Sequence, residues 1–258
     1  MNVLETHTRR VRDSGRKLLV PYVTGGLAGD WTDYLHAAAD AGADVLEVGL
    51  PFSDPMLDGP AIQRASDAAL ARGATIDSIL TDVSRLSLPV PVVAMTYANL
   101  VFRRGAEWFC AALRDAGFSG LIVPDVPVDE ADELLAAATG LDLVLLVSPA
   151  TTRERRREIA GRSGGYVYAV SLMGTTGARA ALPASAGELA RSVKAVTDLP
   201  VLLGFGVSSP ATARAAVVEA DGVIVGSTLM QQVLDGSSPG DVGVSLTGMR
   251  AALDGLDA

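Results

Sequence analysis

Two carboxylates, Glu47 and Asp58, stand eleven residues apart in the segment 46–60. Glu47 lies in an apolar run typical of a buried strand, where a carboxylate is costly unless it is paired, neutral or functional. Asp58 follows in a loop punctuated by proline and glycine, so both carboxylates can meet at one end of the strand. Two carboxylates in different environments can divide acid and base roles between them. On spacing alone, a structural ion pair at Glu47 and a turn residue at Asp58 explain the pattern equally well.

Glycines late in the chain form a second group of candidate functional residues. They occur at 174–177, at 204–206 and at Gly226, which Ser227 follows. Glycine lets backbone N–H groups approach an anion closely, and Ser227 adds a hydroxyl donor. Each set follows an apolar run, so the pattern predicts a phosphate site built from backbone amides at the ends of strands.

Length and charge restrict the class of protein. The chain has 258 residues, of which 49% are hydrophobic and 5% aromatic, and its formal net charge is −9. This length suits a single (β/α)8 barrel over residues 1–258. The acidic net charge argues against a nucleic-acid partner. The one arginine-rich run, 153–158, is predicted to lie on a solvated helix face.

Compartment and redox chemistry follow from the remaining composition. The N-terminal segment is polar and no apolar run reaches the length of a membrane span, which predicts a cytoplasmic protein without a membrane partner. The single cysteine, Cys110, fits the core of an amphipathic helix and has no partner for a disulfide within the chain. Neither His7 nor His36 lies in a ligand-spaced cluster, so no metal site is predicted.

Eight apolar runs have the length of buried strands, and segments with helical spacing separate them. The predicted strands are Leu18–Thr24, Val45–Leu50, Pro91–Tyr97, Gly120–Asp125, Asp142–Ser148, Tyr166–Ser171, Pro200–Gly206 and Gly222–Ser227. The predicted helices are Trp31–Ala41, Ala61–Arg72, Thr75–Ser87, Ala106–Ala116, Asp129–Thr139, Arg153–Gly161, Ala186–Thr197, Pro210–Glu219 and Val244–Leu253.

This alternation predicts a closed parallel barrel. Buried strands that alternate with helices pair in parallel, because each right-handed crossover returns the chain to the same side. Two consecutive helices follow the second strand, so we expect one extra helix there. A doubly wound open sheet is the alternative, but it would usually carry a glycine fingerprint after its first strand, and Gly25-Gly26 is too weak a match.

A barrel places its active site at the carboxyl ends of its strands. Glu47 lies near such an end, Asp58 lies in the loop that follows, and Asp125 ends the fourth strand. Tyr166 and Tyr168 share one face of the sixth strand, since side chains alternate along a strand. Ordinary packing with the hydroxyl groups satisfied at the rim is the simpler interpretation of both tyrosines.

Several motifs together resemble the tryptophan synthase α subunit family. The sequence Glu-Val-Gly-Leu-Pro-Phe-Ser-Asp-Pro-Met-Leu-Asp-Gly-Pro at 47–60 closely resembles the signature of that family. Met-Thr-Tyr-Ala-Asn at 95–99, Pro-Asp-Val-Pro at 124–127 and the glycine sets described above continue the resemblance in order. It covers roughly residues 16–230.

The resemblance implies a retro-aldol cleavage of indole-3-glycerol phosphate to indole and glyceraldehyde 3-phosphate. Glu47 would protonate C3 of the indole and accept the proton of the side-chain hydroxyl, and Asp58 would hold the indole N–H and offset the growing positive charge. The resemblance further implies a substrate-binding set and a phosphate-binding set. The first comprises Tyr22, Leu100, Tyr168, Thr176 and Phe205, and the second comprises Gly177, Gly206, Gly226 and Ser227.

The family also implies a partner. We expect a separate tryptophan synthase β subunit in an α2β2 assembly, with pyridoxal phosphate only in that partner, because the two lysines of this chain, Lys17 and Lys194, show no cofactor motif. A self-sufficient lyase that releases free indole is the first alternative. A catalytically silent phosphate-binding subunit is the second, and the presence of both carboxylates argues against it.

Two further expectations concern mobile or unusual segments. Residues Met173–Pro183 contain little apolar bulk, which predicts a lid that closes when Thr176 reaches Asp58. The segment before Leu18 is short for an N-terminal helix that plugs a barrel. Many family members carry Phe where this chain has Tyr22.

Overall fold

A computed structural model of the chain describes residues 1–170, 184–204 and 206–255. Within these residues nine parallel strands form one sheet. The strands are β1 (Leu18–Thr24), β2 (Leu46–Gly49), β3 (Val92–Met95), β4 (Gly120–Ile122), β5 (Asp142–Leu143), β6 (Leu146–Val147), β7 (Val167–Val170), β8 (Val201–Gly204) and β9 (Gly222–Val225).

The barrel closes at its fifth predicted strand, which is interrupted and forms the two short strands β5 and β6. The strand order is β5-β4-β3-β2-β1-β9-β8-β7-β6, so the first and last members of the sheet are β5 and β6. Only residues 144 and 145 separate these two strands. β5 pairs with β4, and β6 pairs with β7. The eight predicted strand positions therefore form a (β/α)8 barrel, which confirms the predicted fold.

Side-chain alternation divides the barrel core into two layers. Inward-facing residues such as Val20, Val93 and Leu202 fill the barrel interior. Outward-facing residues such as Leu19 and Val48 pack beneath the helices. Both faces of each strand are buried, which explains why the strands read as continuous apolar runs in the sequence.

Twelve α-helices surround the strands in the described residues. They are α1 (Val3–Asp13), α2 (Trp31–Asp40), α3 (Pro60–Ala71), α4 (Ile76–Ser84), α5 (Ala98–Phe102), α6 (Ala106–Asp115), α7 (Asp132–Ala137), α8 (Arg153–Arg162), α9 (Ala184–Lys194), α10 (Pro210–Ala216), α11 (Ser227–Leu234) and α12 (Pro239–Asp254).

The helices agree with the predicted pattern and add to it. α3 and α4 are the two consecutive helices expected after the second strand. Their starts follow from local sequence, since Gly59-Pro60 opens α3 and Thr75 with Ser78 forms a capping box on α4. The short helices α5 and α11 were not predicted. Each begins directly after a strand end, where the apolar run of the strand continues into the helix.

The expectation that the N-terminal segment is too short to plug the barrel is wrong. α1 carries Leu4 into the barrel interior, where its side chain is fully buried beside inward-facing strand residues. Asp142 anchors this helix by accepting the Glu5 N–H at 2.9 Å and the Asn2 side-chain N–H at 3.1 Å. Leu4 and Val11 of this eleven-residue helix therefore both join the cluster of inward-facing strand residues.

Within residues 1–170, 184–204 and 206–255, no helix is both long enough and apolar enough to cross a bilayer.

Candidate active site

Glu47 occupies the centre of β2, between two neighbouring strands. Its Cα position pairs with Tyr22 on β1 and with Val93 on β3. The side chain is 1% exposed, and its Oε2 atom is buried without a hydrogen-bond partner in the described residues. Burial and, to a smaller extent, the negative charge of Asp58 together raise the pKa of Glu47 from 4.5 to about 8. Glu47 is thus protonated at neutral pH and able to donate.

Asp58 reaches the same region from the loop between β2 and α3. The Asp58 N–H points to the Pro55 carbonyl at 3.4 Å, and the Gln63 side chain donates to the Asp58 carbonyl at 2.8 Å. These contacts hold the loop against the first turn of α3. The carboxylate is buried, and desolvation raises its pKa to about 6, while a hydrogen bond from the Tyr97 hydroxyl acts in the opposite direction.

The two carboxylates therefore titrate in sequence. Asp58 ionises first and Glu47 second, because Glu47 is more deeply buried and also feels the charge of Asp58. Near neutral pH this pair holds one proton, which resides on Glu47. A neutral acid beside an ionised carboxylate is the arrangement that acid–base chemistry with charge stabilisation requires.

Both carboxylates line one cavity of about 470 Å³ at the carboxyl end of the barrel. Its walls come from strands β1, β2, β3, β7 and β9, from helices α3 and α11, and from the loop after β8. The lining residues are Tyr22, Glu47, Asp58, Ile62, Met95, Tyr168, Gly206, Val207, Ile224, Gly226 and Ser227.

Two glycines make room for the aromatic walls of the cavity. A Cβ atom at Gly49 would lie 1.9 Å from the Tyr22 hydroxyl, and one at Gly204 would lie 2.1 Å from the Tyr168 ring. Any larger residue at either position would displace the ring beside it. Burial and the nearby carboxylates raise the pKa of both phenols far above the ordinary value, so both remain protonated.

Three of the four predicted phosphate-binding residues lie in the described part of the chain, and they line the same cavity as the carboxylates. Gly206, with a φ of 82°, Gly226 and Ser227 all line the cavity. Ser227 is the first residue of α11, and Gly226 caps that helix. The first N–H groups of a helix have no partner within it and carry partial positive charge, so they suit an anion. The sequence analysis had placed Ser227 on a strand.

The remaining predicted residues fall elsewhere. Leu100 lies half-buried in α5 and is not among the residues that line the cavity. Thr176, Gly177 and Phe205 lie outside the described residues, as does the predicted lid, Met173–Pro183.

Sequence reasoning also missed several residues of the site. Tyr97 contacts Asp58, while Ile62, Met95 and Ile224 contribute apolar surface to the cavity. Met95 and Tyr97 belong to the Met-Thr-Tyr-Ala-Asn motif at 95–99, which contributes to the family resemblance. A tyrosine just past the end of a barrel strand is the signal that could have identified Tyr97.

Within the described residues, no group of three or more histidine, cysteine, aspartate or glutamate side chains is arranged to hold a metal ion.

The fold and the cavity together define the class of protein to which this chain belongs. A (β/α)8 barrel whose carboxyl end buries a protonated glutamate beside an ionised aspartate is a barrel enzyme equipped for acid–base chemistry.

Comparison with known proteins identifies the family. The sequence model of the tryptophan synthase alpha chain family matches residues 9–244, so the chain belongs to that family. It is 43% identical over 252 residues to the tryptophan synthase alpha chain of Burkholderia pseudomallei, with 93% of each chain covered. It is 42% identical over 244 residues to that of Picosynechococcus, with 92% of each covered. The family predicted from the motifs is confirmed.

Solved structures agree with this assignment. A structure of Mycobacterium tuberculosis tryptophan synthase superposes with a TM-score of 0.91 at 38% identity, covering 98% of each chain. The tryptophan synthase alpha chain of Legionella pneumophila superposes with a TM-score of 0.89 at 33% identity, covering 100% of this chain and 99% of the other.

Proposed function

We propose that this chain cleaves indole-3-glycerol phosphate to indole and glyceraldehyde 3-phosphate with Glu47 as the acid–base group and Asp58 as the charge-stabilising group. The activity is the α-subunit reaction of tryptophan biosynthesis, and the chain is a carbon–carbon lyase. The observation that carries the residue roles is the pair of buried carboxylates with separated pKa values in one cavity.

Glu47 has the properties that the proton transfers require. Cleavage of the bond between indole C3 and the side chain needs a proton on C3, which the neutral Glu47 carboxyl supplies. The resulting carboxylate then takes the proton of the adjacent side-chain hydroxyl as the carbon–carbon bond breaks and the aldehyde forms. Glu47 ends the cycle protonated, so the reaction consumes neither water nor an external proton.

Asp58 complements the charge that this proton transfer creates. Protonation at C3 makes the indole ring cationic, and the ring N–H becomes a stronger hydrogen-bond donor. An ionised carboxylate in a cavity with little water stabilises such a charge more than it stabilises the neutral substrate. The pKa of about 6 keeps Asp58 ionised at neutral pH.

The phosphate would lie at the other side of the cavity. Gly206, Gly226 and Ser227 offer backbone and hydroxyl donors next to the first turn of α11. The overall negative charge of the protein repels anions, so these local donors must supply the attraction. Tyr22 and Tyr168 would contact the indole ring, and Thr176, Gly177 and Phe205 are retained from the resemblance as part of the same site.

A β-subunit partner is part of this proposal. Met56 and Leu57 precede Asp58 in the chain and are 75% and 42% exposed, which is unusual for large apolar side chains. They border a groove of about 1030 Å³ that continues along the loop after β4. We propose that this face of a single-domain chain, residues 1–258, meets a β subunit in an α2β2 assembly in the cytoplasm, with pyridoxal phosphate in that partner only.

Steady-state cleavage of indole-3-glycerol phosphate by the purified chain, with and without a cognate β subunit, tests the proposal. We expect measurable cleavage by the chain alone and a large activation by the partner. Fast turnover that the β subunit does not change would support the self-sufficient lyase. Absence of cleavage in both conditions would overturn the proposed function.

A further inference from the structure

Two contacts and near-complete burial fix Tyr97 beside Asp58. It lies between β3 and α5 as the N-cap residue of α5, and its carbonyl accepts the Leu100 N–H at 3.0 Å. Its ring packs against Phe52 with the two centroids 5.4 Å apart. The side chain is 5% exposed. The position of the phenol is therefore determined by the barrel and by the loop that carries Asp58.

The Tyr97 hydroxyl connects two adjacent residues of that loop. It accepts the Leu57 backbone N–H at 3.1 Å and donates to the Asp58 carboxylate. A phenol carries one proton and accepts through its oxygen lone pairs, so both bonds can form at once. The backbone donor polarises the hydroxyl toward the carboxylate, which strengthens the second bond.

We propose that Tyr97 is a positioning residue for Asp58, which orients the carboxylate toward the cavity and keeps it ionised during cleavage. This inference rests on the proposed function. It assigns to Tyr97 a part in the reaction without contact to the reacting atoms.

The surroundings of Asp58 show why such a bond matters. The titratable groups that face Asp58 are Glu47 on β2, Tyr22 on β1, Tyr168 on β7 and Tyr97 itself. Asp125, which follows β4, faces Tyr97. All of these groups are neutral or negative. Among the ion pairs of the described residues none includes Asp58, so the Tyr97 hydroxyl is the contact that lowers the pKa of this buried carboxyl.

Tyr97→Phe removes the hydroxyl and keeps the ring. We expect kcat to fall roughly 10- to 100-fold, the range that corresponds to one hydrogen bond to a charged group. We expect KM to change less than kcat. The acid limb of the kcat profile should move to higher pH, because the pKa of Asp58 rises when its donor is lost. The substrate phosphate titrates equally with both enzymes, so the shift between them reports on the protein.

Two variants serve as controls. Tyr34→Phe removes another hydroxyl that donates a hydrogen bond, to the Ser237 carbonyl at 2.8 Å, on α2 outside the cavity. It should leave kcat and the pH profile unchanged. Phe52→Leu keeps the Tyr97 hydroxyl and removes only its ring contact, so it should move the acid limb less than Tyr97→Phe does.

A fluorinated tyrosine at position 97 keeps the test decisive if Tyr97→Phe folds poorly. The ring keeps its shape while the hydroxyl becomes a better donor, so the acid limb should move to lower pH. Wild-type kcat and an unmoved acid limb in both position-97 variants would overturn the inference while wild-type cleavage upholds the proposed function. If the wild-type chain does not cleave the substrate, the proposed function itself fails.

Discussion

Buried carboxylates at the two ends of the barrel differ in their hydrogen-bond and ion-pair partners. Asp44 lies two residues before β2 and Glu47 lies within it, and they are 5% and 1% exposed. Asp44 accepts hydrogen bonds from the Leu19 N–H at 2.9 Å and from Arg16 and Arg250 at 2.9 and 3.0 Å. Glu47 instead leaves Oε2 without a partner in the described residues.

A second pair of carboxylates, Asp221 and Asp58, shows the same difference between the two ends of the barrel. Asp221, at the amino end of β9, accepts the Val201 N–H at 2.9 Å and pairs with Lys194 at 2.6 Å. Asp58, at the carboxyl end, has the Tyr97 hydroxyl and no ion pair within the described chain. Carboxylates at the amino end thus join neighbouring strands and helices, whereas those at the carboxyl end stay poorly paired and reactive. The two ends of the barrel can have different roles because each strand contributes residues to both ends.

Glu47→Gln gives the largest expected effect on activity. The amide has nearly the shape of the acid but cannot transfer a proton, so turnover should fall at least 10²- to 10⁴-fold, the range for general acid–base catalysis. Single-turnover formation of indole measures this loss without interference from product release. Retention of more than about a tenth of the wild-type rate would remove Glu47 from the acid–base role.

Asp58→Asn should also lower turnover strongly, by roughly 10²- to 10³-fold, which is the usual cost of removing one transition-state stabilising group. Asparagine can still accept a hydrogen bond from the indole N–H, so substrate binding should weaken less than turnover. Binding of a non-cleavable substrate analogue, measured by calorimetry, separates the two quantities. Weak binding with normal turnover would show that Asp58 only anchors the substrate.

Asp44→Asn tests the opposite end of the same strand position. The change removes one of the two ion-pair partners of the buried Arg250, which keeps Asp254, so the free energy of unfolding should fall by about 1–3 kcal/mol. kcat should stay near the wild-type value at a temperature where the variant is folded. Urea denaturation and the cleavage assay measure both. A large loss of kcat with unchanged stability would contradict the division of roles between the two ends.

The division of roles between the two ends of the barrel can be predicted only in part from the sequence. The eight strand positions and the Glu47–Asp58 pair are predictable because apolar runs and the 47–60 signature are local features. The break between β5 and β6 is not predictable, since residues 143–147 are apolar without interruption. The barrel plug at Leu4 and the Tyr97 hydrogen bonds depend on contacts between distant segments, so no local pattern reveals them.

The smallest expected effect is the pH dependence that Glu47 gives to the free energy of unfolding. Its pKa is about 8 in the folded protein against an ordinary value of 4.5. Between these values the folded state holds a proton that the unfolded state has lost. Stability should therefore fall as pH rises from about 4.5 to 8 and change little above that range on this account. The cause is the cost of an ionised carboxylate in a buried site without a cation.

Glu47→Gln removes this dependence because the amide does not ionise. The variant should gain stability relative to wild type as pH rises, by about 1–3 kcal/mol between pH 5 and pH 9, where each pKa unit corresponds to about 1.4 kcal/mol and relaxation of the site reduces the total. Urea unfolding of both proteins at pH 5, 7 and 9 measures the difference. Asp44→Asn provides the contrast, because it should be less stable than wild type at all three values. A constant difference between Glu47→Gln and wild type across this range would mean that Glu47 is already ionised in the folded protein at pH 5, and the acid role assigned to it would then be lost.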